Sequence, residues 1–321
     1  MRGSSLDVTE MPDQSGRTVV ITGANSGLGF EAAKAFARKG AQVAMACRDL
    51  NRGGAARDEI RASVSDPSLS VLEVDLASLA SIRSFGEVVE DEYDELHALC
   101  NNAGLMAIPR RETDDGFEMQ FGVNHLGHFA LTGLLLDRLR ATEGETRIVT
   151  QSSGLHQRGA VDFDDLHGER AYDRWAAYAQ SKLANLLFAY ELDRRLRATD
   201  ATVSSVGCHP GYADTGLQRR GPEMMGSRLR LWGMKLANTV LAQSAAQGAR
   251  PVLYAATAPE IAGGDYIGPG GLMNMRGAPE RQDSSDRSAD EDLAARLWDV
   301  SEDLTGVTFD LDRSPSIRAT T

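Results

Sequence analysis

The sequence predicts a single doubly wound α/β domain, with a mostly parallel seven-stranded sheet and helices on both faces. Three observations predict it. Short apolar, β-branched runs alternate with longer helical patterns along most of the chain. Each pair of strand-like runs is separated by enough chain for a helical crossover, and right-handed crossovers wind a parallel sheet in both directions. A glycine-rich stretch stands between the first strand and the first helix, where open α/β sheets bind nucleotides.

The elements follow in order. "RTVVITG" (17–23) reads as strand and Leu28 to Lys39 as helix. "AQVAMAC" (41–47) is strand, and Asp49 to Ala62 helix. "LSVLEVDL" (69–76) is strand, followed by a helix from Leu79 to Tyr93. "HALCNNAG" (97–104) runs from strand into loop, and Phe117 to Arg140 is a long helix that tolerates Gly122, Gly127 and Gly133. "RIVTQSS" (147–153) is the fifth strand, and Trp175 to Ala198 the helix after it. "ATVSSVGCHPG" (201–211), a helix from Gln243 to Ala256 and a short strand "GDYIG" (264–268) complete the sheet. No composition break marks a second domain. The organisation expected is a tail at 1–16, a dinucleotide-binding and catalytic domain at 17–276, and an extension at 277–321. That extension begins polar and acidic and turns amphipathic at "LAARLWDVSEDLTGV", one docked helix.

Bulk composition narrows the function. The 321 residues are 42% hydrophobic and 25% charged, an ordinary globular balance. The net charge of −12 argues against a nucleic-acid scaffold. No apolar run approaches the length of a membrane span, and the polar start "MRGSSLDVTEMPDQSG" has no apolar core of a secretory signal. A cytoplasmic protein is expected. Cys47, Cys100 and Cys208 lie in or at the ends of strands, without metal-ligand spacing, and read as buried reduced thiols. His125 and His128 are three apart on a helix, but no further ligands stand near them. Packing or hydrogen bonding is the preferred reading, and no metal is expected.

The glycine loop "TGANSGLG" (22–29) spaces Gly23, Gly27 and Gly29 as G-x-x-x-G-x-G. Glycines let backbone approach a pyrophosphate, and the helix N-terminus offers unpaired N–H groups. The second strand ends in "ACRD". Arg48 there suits a 2′-phosphate and hence NADP, whereas Asp49 would accept the ribose hydroxyls of NAD, which stays the alternative. Further on, "YAQSK" puts Tyr178 and Lys182 one turn apart on one helical face. A free phenol has a pKa of about 10, and a neighbouring cation is expected to lower it.

These motifs occur in register with "VDL" (74–76), "NNAG" (101–104), "VNHLGHF" (123–129), "SS" (152–153) and "HPG" (209–211). Together they resemble the short-chain dehydrogenase/reductase family over about residues 17–215. "TGANSGLGFE", "ACRD", "NHLGHF" and the late "LTGV" resemble its retinol-dehydrogenase-like branch, which is itself similar to protochlorophyllide reductases. The resemblance implies a Rossmann domain and a catalytic tetrad of Asn124, Ser153, Tyr178 and Lys182. Tyr178 would exchange the proton, Lys182 would hold the nicotinamide ribose, Ser153 the substrate oxygen, and Asn124 a water in a relay to Lys182. Ser152 is the alternative serine. The cofactor contacts implied are Gly23, Asn25, Ser26, Gly27, Leu28 and Gly29 of the loop, Arg48, Asp75 and Leu76, Asn102, Ala103 and Gly104, Tyr178 and Lys182, and Pro210, Gly211 and Thr215. Asn101 lies where the family's backbone passes the adenine ribose.

The function expected is NADP(H)-dependent oxidoreduction of a carbonyl or alcohol on an apolar small molecule. Reduction of a C=C bond, or non-catalytic sensing on the same fold, are the alternatives. The 212–240 segment is expected to form an apolar substrate loop through residues such as Leu217, Met224, Trp232 and Met234. The 154–175 loop is expected at the active-site mouth. Tyr172, without a lysine four residues on, is not the catalytic tyrosine. The resemblance also implies a homodimer or homotetramer built on the 117–140 and 175–198 helices, with a monomer covered by its own C-terminal residues as the alternative.

Overall fold

The computed structural model describes residues 11–199, 201–211, 243–271 and 274–312. Thr215 and the expected substrate loop at 212–240 lie outside the described residues. The strands are β1 (Thr18–Thr22), β2 (Gln42–Cys47), β3 (Leu69–Glu73), β4 (Ala98–Asn101), β5 (Thr146–Gln151), β6 (Val203–Cys208), β7 (Tyr266–Pro269) and β8 (Pro279–Arg281). They form one sheet in the order β3-β2-β1-β4-β5-β6-β7-β8. All neighbours are parallel except β7 and β8. The eighth strand was not expected. It comes from the polar stretch after Gly277, whose edge position needs only three residues and no apolar alternation, so it leaves no strand pattern in the sequence.

Strands β1, β4 and β5 are buried along their whole length, as a parallel sheet covered on both faces requires. Helices α1 (Gly27–Arg38), α2 (Leu50–Arg61) and α6 (Arg250–Thr257) supply residues to one apolar layer, where Phe36, Ile60 and Val252 meet Val19, Ile21 and Met45. Helices α3 (Leu79–Glu92), α4 (Gly127–Ala141) and α5 (Arg174–Arg197) supply the other, with Ile82, Phe85, Leu135 and Phe188 against Val20, Leu99 and Ile148. In α1 the buried Gly29, Ala32, Ala33 and Phe36 recur at three- and four-residue spacing, which is why this segment is helical and docks on that side. The expected 243–256 helix is divided into a single turn, Ala245–Gly248, and α6. Pro251 lacks the N–H that would have continued it.

The expected 117–140 helix is also more articulated. A short turn, Met119–Phe121, leads into a π-helical turn, Gly122–Leu126, and then α4. In the π turn the Gly127 N–H reaches back five residues to the Gly122 carbonyl. Asn124 sits in this turn, fully buried.

The C-terminal helix α7 (Glu291–Thr305) lies across α4 and α5. Trp298 packs edge-on to Phe129 at 5.2 Å and beside Phe188 at 5.8 Å, under the Arg195 guanidinium at 4.3 Å. Val307 and Phe309 continue over α4 at Gly133, where a Cβ would come within 2.6 Å of Val307 and 2.9 Å of Phe309. The helix pair expected to form a two-fold interface thus has the chain's own C-terminus against it.

Candidate active site

The carboxyl ends of the central strands open into a cavity of about 1110 Å³ at the β1/β4 switch point of the sheet. Every expected site residue within the described segments lines it, apart from Asn124 and Asn101. The glycine loop forms its floor. Gly23 and Gly27 adopt φ of 69° and 58°, backbone that a side chain would strain. A Cβ at Gly29 would stand 2.5 Å from the Gly23 carbonyl oxygen and 2.6 Å from Asn102 Nδ2, so only glycine lets these three segments close together. The N-terminus of α1 has no side-chain cap from Ser26 and no acid in its first turn. Helices α2, α3, α5 and α7 are instead capped by Asp49, Ser78, Asp173 and Asp290. An uncapped, glycine-lined helix start that opens into a cavity fits a dinucleotide pyrophosphate.

At the adenine end, the Asp49 carboxylate accepts the Asn51 and Arg52 backbone N–H groups at 3.0 and 3.1 Å. Arg48 is about two thirds exposed and its Nε lies 3.9 Å from Asp75. Asp75 accepts the Ala77 N–H at 3.0 Å. Arg52 joins Arg48 on the cavity wall; its place at the first turn of a helix gave no signal in the sequence. Asn102 donates Nδ2 to the Thr22 carbonyl at 2.8 Å, tying the "NNAG" loop to β1. Asn101 is turned away, with its amide on Thr132 Oγ1 at 2.9 Å.

At the other end stand the tyrosine, lysine and serine. Tyr178 and Lys182 are 5% and 3% exposed, and the ammonium is 5.9 Å from the phenol ring centroid. The Ser153 side chain stands beside the Tyr178 phenol and pulls its pKa down. Ser152 is buried and donates to the Lys182 carbonyl at 2.7 Å, so the two serines are separated by geometry and Ser153 is the one at the phenol. Lys182 donates to the Gln151 carbonyl at 2.9 Å, and burial pushes its ammonium down to about 8. The phenol does not follow the expectation that the lysine would lower it. Burial pushes Tyr178 up to about 12, against a smaller downward pull from Ser153, because desolvation of a phenolate outweighs its one hydroxyl partner.

Asn124 also departs from expectation. Its Oδ1 accepts the Leu105 N–H at 2.7 Å, and its Nδ2 reaches the Leu105 carbonyl and Ser181 Oγ at 3.0 and 2.9 Å. The amide is therefore engaged in holding the loop after "NNAG" against α5. His128 bridges the Asn124 carbonyl and Thr22 Oγ1 at 3.0 and 2.9 Å, and His125 meets Ser301 Oγ at 2.9 Å. Burial holds both imidazoles neutral, pushed down to about 4 and about 3. The three thiols are free and buried, with Cys47 pushed up to about 11 and Cys100 to about 12. Among the described residues no three His, Cys, Asp or Glu are grouped as metal ligands, and no helix is long and apolar enough to cross a membrane.

The outer cavity wall includes Met106, Leu155, His156 and Trp175. Tyr172 is tied instead to the Ile108 carbonyl and Glu118, each at 3.0 Å, as a loop anchor. Trp175 was legible in hindsight, three residues before Tyr178 on one helical face. Gln282 and Asp283 reach the cavity from beyond β8, and no sequence signal places them there.

A doubly wound sheet with a dinucleotide cradle and a buried tyrosine–lysine pair beside a serine defines the class of nicotinamide-dependent oxidoreductases. The short chain dehydrogenase family model matches residues 17–225, and the chain belongs to that family. It is 42% identical to human retinol dehydrogenase 13 over 306 residues, covering 94% of this chain and 87% of that protein. It is also 42% identical to mouse polyprenol dehydrogenase, covering 92% and 86%. An uncharacterized protein from Mycobacterium paratuberculosis shares its structure at a TM-score of 0.78 and 40% identity, covering 95% and 99%. The chain is an oxidoreductase of the retinol-dehydrogenase-like branch, acting on CH–OH and C=O groups with a nicotinamide cofactor.

Proposed function

We propose that the chain is an NADP(H)-dependent dehydrogenase/reductase of an apolar alcohol or aldehyde, with Tyr178 as general acid and base. The observation that carries this is the Tyr178 phenol beside Ser153 and Lys182 on the cavity wall. The bound nicotinamide supplies or takes the hydride. A substrate oxygen between the two hydroxyls is held by Ser153 and receives the Tyr178 proton as negative charge develops on it; in the reverse direction Tyr178 removes the alcohol proton. Residues Gly23 to Gly29, Asp75, Leu76, Asn102, Ala103 and Gly104 would hold the dinucleotide, and Pro210 and Gly211 its nicotinamide end. Preference for NADP(H) is supported by Asp49, whose carboxylate caps α2, and by Arg48 and Arg52 on the same wall. Met106, Leu155 and Trp175 suit an apolar substrate, and the relatives' names, retinol and polyprenol dehydrogenase, point to that class. The cover of α7 over α4 and α5 supports the monomeric alternative for the assembly.

The test is Tyr178→Phe, followed as NADPH consumption with a panel of aldehydes and ketones. Turnover should fall by about 10²–10⁴ with cofactor binding retained. A near-normal kcat in the phenylalanine variant overturns the role of Tyr178.

A further inference from the structure

We infer that His156 is a positioning residue for the catalytic serine, locked in one tautomer by the C-terminal extension. This rests on the reading of Ser153 and Tyr178 above. His156 lies in the 3-10 turn Gly154–Arg158, three residues after Ser153, and is 1% exposed. Its Nδ1 is 2.7 Å from the Ser153 carbonyl oxygen, and its Nε2 is 3.2 Å from the Ser285 backbone nitrogen. A backbone N–H can only donate, so Nε2 carries the lone pair and the ring proton is on Nδ1. The Ser153 carbonyl therefore accepts two N–H donors from one residue, the His156 backbone at 3.0 Å and its imidazole.

That carbonyl follows the Ser153 side chain by two bonds. Ser153 caps the turn in an extended conformation, with its hydroxyl oxygen accepting the Leu155 N–H at 3.2 Å and facing Tyr178. Fixing the carbonyl fixes the Ser153 backbone, and hence where the hydroxyl stands against the phenol. The clamp on Nε2 is itself anchored. Tyr190 of α5 donates to Ser284 Oγ at 2.9 Å, Arg287 bonds the Gly159 carbonyl, and Ser288 donates to the Ser285 carbonyl at 2.6 Å. Tyr266 packs edge-on to the imidazole at 5.4 Å with its hydroxyl 3.5 Å from Nδ1, a longer contact than the 2.7 Å to the Ser153 carbonyl. The extension after β8 thus reaches the catalytic serine through one imidazole.

The experiment uses the full chain and four variants, with kcat, KM and NADPH affinity measured for each, and the His156 tautomer read by nitrogen-15 NMR. His156→Ala should lower kcat by about 10- to 100-fold, the scale of a misplaced reacting group, with KM and NADPH affinity little changed. His156→Asn puts an N–H near the Nδ1 position and should restore most of kcat. Ser285→Pro removes the donor to Nε2, together with the weaker Ser285 hydroxyl contact to Ser288 Oγ at 3.4 Å, at a φ of −72° that proline adopts, and should release the single Nδ1–H tautomer and lower kcat. Wild-type kcat in a folded His156→Ala, asparagine no better than alanine, or an Nε2–H tautomer in the wild type each overturns the proposal. If the alanine variant does not fold, the asparagine and proline variants and the tautomer decide it. Tyr178→Phe separates the two readings: an active phenylalanine variant removes the catalytic assignment, whereas an inactive one beside a fully active His156→Ala removes only the role of His156.

Discussion

Replacing Lys182 by methionine should abolish turnover and yet stabilise the fold at neutral pH. The ammonium is buried, and burial moves its pKa from 10.5 down to about 8. At about 1.36 kcal/mol per unit, keeping it charged near pH 7 costs the native state about 3 kcal/mol relative to the unfolded chain. Methionine removes that cost and forfeits one hydrogen bond, to the Gln151 carbonyl, worth about 1 kcal/mol. The carbonyl is not orphaned, because Asn185 Nδ2 also donates to it at 2.9 Å. A gain of about 2 kcal/mol remains. The sign of the pH dependence follows from the lowered pKa. Below about 8 both states are charged and the cost is fully present. Between about 8 and 10.5 the unfolded chain binds more protons than the native state, so wild-type stability rises with pH. By pH 9.5 about 2 kcal/mol of the cost is relieved and the advantage of methionine is gone. Urea unfolding of the cofactor-free proteins at pH 7 and 9.5, followed by tryptophan fluorescence, measures both values. A methionine variant less stable than wild type at pH 7, or a gap that is the same at both pH values, refutes the reasoning.

Four other outcomes are expected. Arg48→Ala should weaken NADPH by about ten-fold, the low end for a charge-assisted contact because the guanidinium is largely exposed, and leave NADH nearly unchanged; equal losses in paired titrations remove the 2′-phosphate assignment. Gly29→Ala should lose cofactor binding while circular dichroism stays native, since its Cβ would collide with the Gly23 carbonyl and the Asn102 amide; retained affinity contradicts the cradle. Trp298→Ala should cost about 3–5 kcal/mol in chemical denaturation, and light scattering of the wild type at micromolar concentration should give a monomer mass; a cost under about 1 kcal/mol, or a dimer mass, argues against α7 as the cover of α4 and α5.

What the sequence determined by itself was whatever is carried by local pattern. Buried parallel strands must be apolar throughout, and amphipathic helices must repeat near 3.6, so seven of the eight strands among the described residues and the helices around them were legible as runs. The glycine loop and the tyrosine–lysine pair were legible because their chemistry lies within one turn of chain. Residues distant in sequence were decided by tertiary structure. Ser152 and Ser153 are chemically alike, and only the path of β5 under α5 sends one hydroxyl to the Lys182 carbonyl and the other to the phenol. Asp49 reads as a ribose acceptor until the first turn of α2 takes its carboxylate. The elevation of the Tyr178 phenol reflects how completely the fold removes it from water, which the spacing to Lys182 cannot express. The contact from Ser285 to His156, 129 residues back along the chain, exists only because β8 returns along β7 and carries the next turn to the loop after Ser153.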